Sequence, residues 1–138
     1  MTNHTLMRLR FSWFKILSLF VLVLGGSWWF LATQLSFNLV ARWLFLATGL
    51  AIYLMVHLWF RLALNRLPLE GKILPDLGIG NMLTISRGIF LTIVAGFILL
   101  PRLTGTLGYV PGVAFSVAIV ADFFDGYLAR RLNQVTLL

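Results

Sequence analysis

Asp122-Phe123-Phe124-Asp125-Gly126-Tyr127-Leu128-Ala129-Arg130 is the stretch on which the reading of this sequence turns, because it sets two carboxylates and a guanidinium at the end of an apolar run. The chain of 138 residues has four acidic side chains, and two of them are here. They follow Leu103 to Ala121, a segment without a charge. At 1.5 Å per residue a helix from Pro111 to Arg131 is about 30 Å long, which leaves the aspartates roughly 9–14 Å inside its far end. An aspartate at mid-membrane costs about 2.5–3.5 kcal/mol on insertion scales, and somewhat less off centre. Two of them facing lipid is a poor solution, so a hydrated cavity, a cation or a basic partner is required.

The composition supplies the membrane frame. Hydrophobic residues make up 60% and charged residues 11% of the chain, with a mean hydropathy of +0.96, against about 25% charged in a soluble domain. The balance indicates an integral membrane protein. The sequence has no cysteine, which excludes structural disulfides and thiolate metal sites. Any metal would be a hard cation held by oxygen, Mg²⁺ or Mn²⁺. The net charge of +7 sits on basic residues flanking apolar segments, a pattern that addresses anionic headgroups and topology and not nucleic acid.

Working outward from the aspartates, the apolar runs predict an all-α, polytopic membrane helix bundle of four transmembrane helices. The first is expected over Ile16 to Leu35, after the basic residues Arg8, Arg10 and Lys15; its run is too long, and Trp28 and Trp29 too bulky, for a cleaved signal peptide. The second is expected over Trp43 to Phe60, with His57 as an interfacial or packing residue. The polar connection through Arg61, Arg66, Glu70 and Lys72 divides an N-terminal hairpin, residues 1–74, from residues 75–138. A third helix over Ile79 to Leu100 is stopped by Pro101, and a fourth starts near Pro111, suited to a first helical turn. Eight basic residues lie at the N-terminus, in this connection and in the tail, whereas the opposite loops hold only Arg42 and Arg102. The positive-inside rule then makes both termini cytoplasmic.

Positions 122, 125, 126 and 129 are spaced i, i+3, i+4 and i+7, one stripe of a helix. Two adjacent carboxylates repel unless a cation lies between them, and Gly126 and Ala129 leave room for a ligand or another helix. Arg130 offers a planar fork for phosphate. Small residues also pack helices, and charges also end them. In the third helix Asn81 and Thr84, taken alone, read better as caps or interhelical hydrogen-bond partners than as a ligand site. Arg87 either snorkels to the headgroups or neutralises the aspartates of the neighbouring helix.

These residues resemble the CDP-alcohol phosphatidyltransferases, whose signature is D-x-x-D-G-x-x-A-R-x8-G-x-x-x-D-x-x-x-D. Asp122, Asp125, Gly126, Ala129 and Arg130 match its first five fixed positions, and Asn81-Met82-Leu83-Thr84-Ile85-Ser86-Arg87 is similar to the family's Asn-x-Leu-Thr-x-x-Arg opening, with Gly80 where a proline is common. The sequence closes at Leu138, where the spacer after Arg130 would give way to the signature's second glycine. The resemblance implies transfer of a substituted phosphate from a CDP-linked lipid, usually CDP-diacylglycerol, to an alcohol with release of CMP, in phospholipid synthesis. It implies two divalent cations, Mg²⁺ or Mn²⁺, held by four aspartates, of which Asp122 and Asp125 would be two. Gly126 and Ala129 would admit the nucleotide, Arg130 would contact phosphate, Asn81 and Thr84 would line the nucleotide pocket, and Thr136 would be a further contact to the nucleotide lipid. The base role is not filled by any residue here. The expected setting is a bacterial inner membrane, with the site facing the cytoplasm, and a homodimer or a complementing C-terminal polypeptide as partner.

The alternative from another class is a small non-enzymatic membrane protein, either an ion or proton pathway subunit built on Asp122, Asp125 and Arg87 or a helix-packing partner. The transferase reading carries the expectation that the sequence as it stands is an N-terminal part and inactive alone. Incubating the purified chain with CDP-diacylglycerol, Mg²⁺ and candidate alcohols should release no CMP; robust CMP release in that assay would refute this expectation.

Overall fold

The computed structural model describes residues 3–65, 77 and 79–131, and for residues 3, 6, 79, 80, 82, 83, 121, 122 and 125–131 it describes the backbone alone. Regular structure among the described residues is helical throughout: α1 (Asn3–Ala32), α2 (Phe37–Arg61), α3 (Ile79–Gly96) and α4 (Val110–Arg131). Short 3₁₀ turns occupy Leu62–Leu64, Phe97–Leu99 and Gly105–Tyr109.

The first helix is longer than its apolar run. It begins at Asn3 and takes in Arg8, Arg10 and Lys15, because Leu, Met, Arg and Lys are good helix formers and no Gly or Pro interrupts them. Its 30 residues would span about 45 Å, more than the roughly 30 Å of a bilayer's hydrocarbon core, so its basic first turns extend past an apolar slab. α1 and α2 are long and apolar enough to cross a membrane, and among the described residues shorter apolar helical stretches run over Thr84–Leu99 and Gly105–Val120.

Four residues, Thr33 to Ser36, reverse the chain between α1 and α2. The hairpin closes on Trp13, whose Nε1 donates to the carbonyl of Met55 at 2.9 Å and whose ring meets Trp59 edge-on at 5.0 Å. Arg10 lies 5.4 Å from the centre of the Trp59 ring, a cation–π distance. An indole N–H in an apolar seam needs an acceptor, and the second lone pair of a helix carbonyl provides it.

The buried residues of α2, Val40, Trp43, Ala47, Ala51 and Met55, recur every three or four positions, the spacing of one helical face. Trp43 has no exposed surface. Its Nε1 donates to the carbonyl of Ile93 at 3.2 Å and its ring stands edge-on to Phe97, 6.3 Å between centroids. The indole lies where a side chain of residue 96 would start, since a Cβ on Gly96 would come within 2.5 Å of two ring atoms. Glycine is what lets the two helices approach this closely.

α3 packs against α2 and, more extensively, against α4. It ends as the sequence requires: after Gly96 the helix tightens into a 3₁₀ turn and Leu100 is extended at φ −95°, ψ 149°, the conformation favoured ahead of a proline. Pro111 sits in the first turn of α4, the position where its missing N–H is harmless. Gly105 adopts φ +64° in the turn between the two helices, a backbone that side chains resist.

Replacing Gly96 by Ala should force the Trp43 ring out of its seat. Overpacking of this kind costs about 1–3 kcal/mol, to be read as a lower thermal unfolding midpoint of the purified chain in detergent. In a Trp43→Leu background the same change should be nearly neutral, because the atoms it meets are gone.

Candidate functional site

The aspartate-bearing helix is continuous. The backbone of α4 runs without interruption from Val110 to Arg131, so positions 122, 125, 126 and 129 share a stripe and do not fall on either side of a break. Ala118 on this helix is 2% exposed, and Pro111 and Ala114 are half-buried. At about 100° per residue, 122, 125 and 129 fall within roughly 40° of the line through 111 and 118. The acidic positions thus continue the stripe by which α4 packs on its neighbour. Val113, Val117, Val120, Phe123 and Phe124 point elsewhere and are exposed, as suits side chains in contact with lipid or another helix.

The turn at residues 97–109 sends α4 back along α3. The antiparallel pair therefore brings the start of α3, with Asn81, Thr84 and Arg87, to the same end as the signature positions of α4. Within α3 these three residues do not form one face. Each step of three turns the position back by about 60°, so Arg87 lies some 120° round the helix from Asn81. Arg87 is half-buried.

Asn81 donates from Nδ2 to Oδ1 of Asn65 at 2.9 Å, and Asn65 has no exposed surface. The hydrogen bond ties the start of α3 to the residue that comes after the 3₁₀ turn closing α2. Such pairing is what a buried amide demands, because a polar group left without a partner costs about 1–3 kcal/mol. Asn81 thus has an interhelical role, one of the two that its sequence position allows, and Asn65 is a structural residue to which the sequence does not point. An asparagine in a polar connection gives no sign of burial.

Asn81 and Thr84 line a cleft of about 230 Å³ together with His57 and Arg61 of α2, Phe20 of α1, and Ile85 and Gly88 of α3. Its wall opposite α3 comes from the N-terminal hairpin. His57 stacks on Tyr53 at 6.0 Å and is exposed. In the sequence Arg61 marks only the end of a helix; the structure puts it beside Asn81 and Thr84. The signal that could have found it is its position at the start of the polar connection, on the stripe of Leu54 and Leu58.

Two carboxylates three residues apart on one helical stripe suit a hard divalent cation, which prefers oxygen donors and keeps water in its shell. Among the described residues no group of three or more His, Asp or Glu side chains converges. Thr136 lies outside the described residues.

A model of the CDP-alcohol phosphatidyltransferase family matches residues 77–138. The matched part comprises α3, α4 and the residues after Arg131, and α1 and α2 lie outside it. No curated protein and no solved structure matches the chain.

Substituting Asn81 by Ala removes one hydrogen-bond partner of a fully buried amide. A loss of about 1–3 kcal/mol of stability is expected, seen as a lower unfolding midpoint in detergent.

Proposed function

With residues 77–138 matching the CDP-alcohol phosphatidyltransferase family, and the activity of that family being phosphatidyl transfer in phospholipid synthesis, we propose that this chain binds a CDP-linked lipid, CDP-diacylglycerol in the first instance. The division of labour is residues 1–74 as a membrane hairpin and residues 75–138 as the first two core helices, with α1 to α4 as four spans. Both termini and the site face the cytoplasm of a bacterial inner membrane. The observation that supports this reading best is the unbroken α4 backbone, which keeps Asp122, Asp125 and Ala129 on the stripe that continues from buried Ala118, with Gly126 next to Asp122 one turn on.

On this reading Asp122 and Asp125 would hold Mg²⁺ or Mn²⁺, and Gly126 and Ala129 keep the helix surface low enough for a nucleotide to approach. The cation, when bound, neutralises charge on the diphosphate and on the departing CMP. Arg130 pairs with phosphate through its planar fork. Arg87, half-buried on α3, serves to balance the aspartates when no ligand is bound, which reduces the cost of carrying carboxylates at membrane depth. Asn81 and Thr84 border the nucleotide from α3.

Equilibrium binding of CDP-diacylglycerol to the purified chain should depend on Mg²⁺, with Asp122→Asn or Asp125→Asn weakening it by tenfold or more and diacylglycerol competing poorly. Binding that is indifferent to Mg²⁺ and to both substitutions would remove the basis for this function, and an ion pathway or packing role would then be the better account of the aspartates.

A further inference from the structure

The cleft between the N-terminal hairpin and α3 has a character that nucleotide binding does not explain. Phe20, Leu54, Met55, Leu58 and Ile85 make its apolar lining. Its polar residues belong to the last turn and a half of α2, His57 and Arg61, and to the first turns of α3, Asn81 and Thr84. The hydrogen bond from Asn81 to Asn65 joins these two helix ends, so the polar residues gather at one end and the apolar lining extends away from it.

Arg61 at this end is exposed and has no hydrogen bond, ion pair or ring contact among the described residues. No carboxylate lines the cleft among the described residues. A cation at the mouth of an apolar slot complements an amphiphile with an anionic head. Size narrows the choice further. At about 230 Å³ the cleft is below the roughly 300–1,000 Å³ of sites that enclose a drug-sized ligand, so it accommodates a phosphate and the upper part of one chain, with the remainder in the bilayer.

We propose that this cleft is a binding site for one anionic diacyl lipid, with its phosphate on Arg61 and the upper part of one acyl chain against Phe20, Leu54, Leu58 and Ile85. Arginine suits the role because its fork binds phosphate oxygens in pairs and it gives up hydration more readily than lysine. The N-terminal hairpin thereby gains a function, as the wall that turns one side of α3 into a lipid site. The inference goes beyond CDP-lipid transfer and does not depend on the aspartates.

The test is lipid retention by the full chain, purified in detergent, delipidated and re-supplied with dioleoyl phosphatidylglycerol or dioleoyl phosphatidylcholine, with bound lipid counted by native mass spectrometry. One phosphatidylglycerol should be retained in preference to phosphatidylcholine. Arg61→Gln should weaken that retention about tenfold, Arg61→Lys should restore part of it, and Arg10→Gln, which removes a charge outside the cleft, should leave it unchanged. Adding CDP-diacylglycerol then separates the two sources of such a phosphate: displacement identifies the donor lipid as the occupant, and simultaneous retention identifies a separate phospholipid. Equal retention of both headgroups, equal loss in Arg61→Gln and Arg10→Gln, or equal loss in Arg61→Gln and Arg61→Lys would overturn the proposal.

Discussion

The contact on which the arrangement depends is the seat of Trp43 on α3. A fully buried indole occupies the space of a missing side chain at Gly96 and spends its one donor on the carbonyl of Ile93. In an apolar surrounding no water would satisfy that N–H, so position and hydrogen bond are not separable. About three turns away, Asn81 and Asn65 make the corresponding contact at the other end of α3. Held at both ends against α2, α3 becomes the fixed element against which α4 packs, and through α4 it sets where the aspartate positions lie.

Much of this is written in the sequence in plain form. The apolar runs, Pro101 as a stop and Pro111 as a start mark the helices to within a few residues at those ends, because proline acts locally through its fixed φ and absent N–H. The start of α1 departs from its expected place at Ile16, since charge does not end a helix and Arg8, Arg10 and Lys15 are as content in one as the leucines beside them. The common stripe of Asp122 and Asp125 is legible from their spacing alone. That this stripe continues from Ala118 and Ala114 is not, because Gly and Ala at helical intervals occur on several faces of α4 and only burial chooses among them.

The contacts that escape the sequence are those between distant segments. Nothing local distinguishes Trp43 from Trp28 or Trp29, yet the first is sealed in the bundle and the others are exposed. Nor does Asn65 advertise a partner sixteen residues on. Spacings of three in Asn81, Thr84 and Arg87 suggest one cluster, but a helix turns by 3.6 residues and the slippage accumulates. By the third member it has carried Arg87 some 120° round the helix from Asn81.

That divergence separates two chemistries on a single helix. Asn81 and Thr84 border a small cleft whose other wall is α1 and α2, with Arg61 at its mouth, while α4 brings its two carboxylate positions to a different flank of α3. A positive end on one side and an acidic stripe on the other would be a poor design for one compact ligand. It suits an elongated amphiphile or two ligands, because a diphosphate needs a cation before it can approach aspartates, whereas a lipid phosphate can meet Arg61 directly. α3 is then a partition as well as a scaffold. Its apolar face toward the hairpin and its packing face toward α4 are kept distinct by the same two anchors, Trp43 and Asn65, that hold it in place.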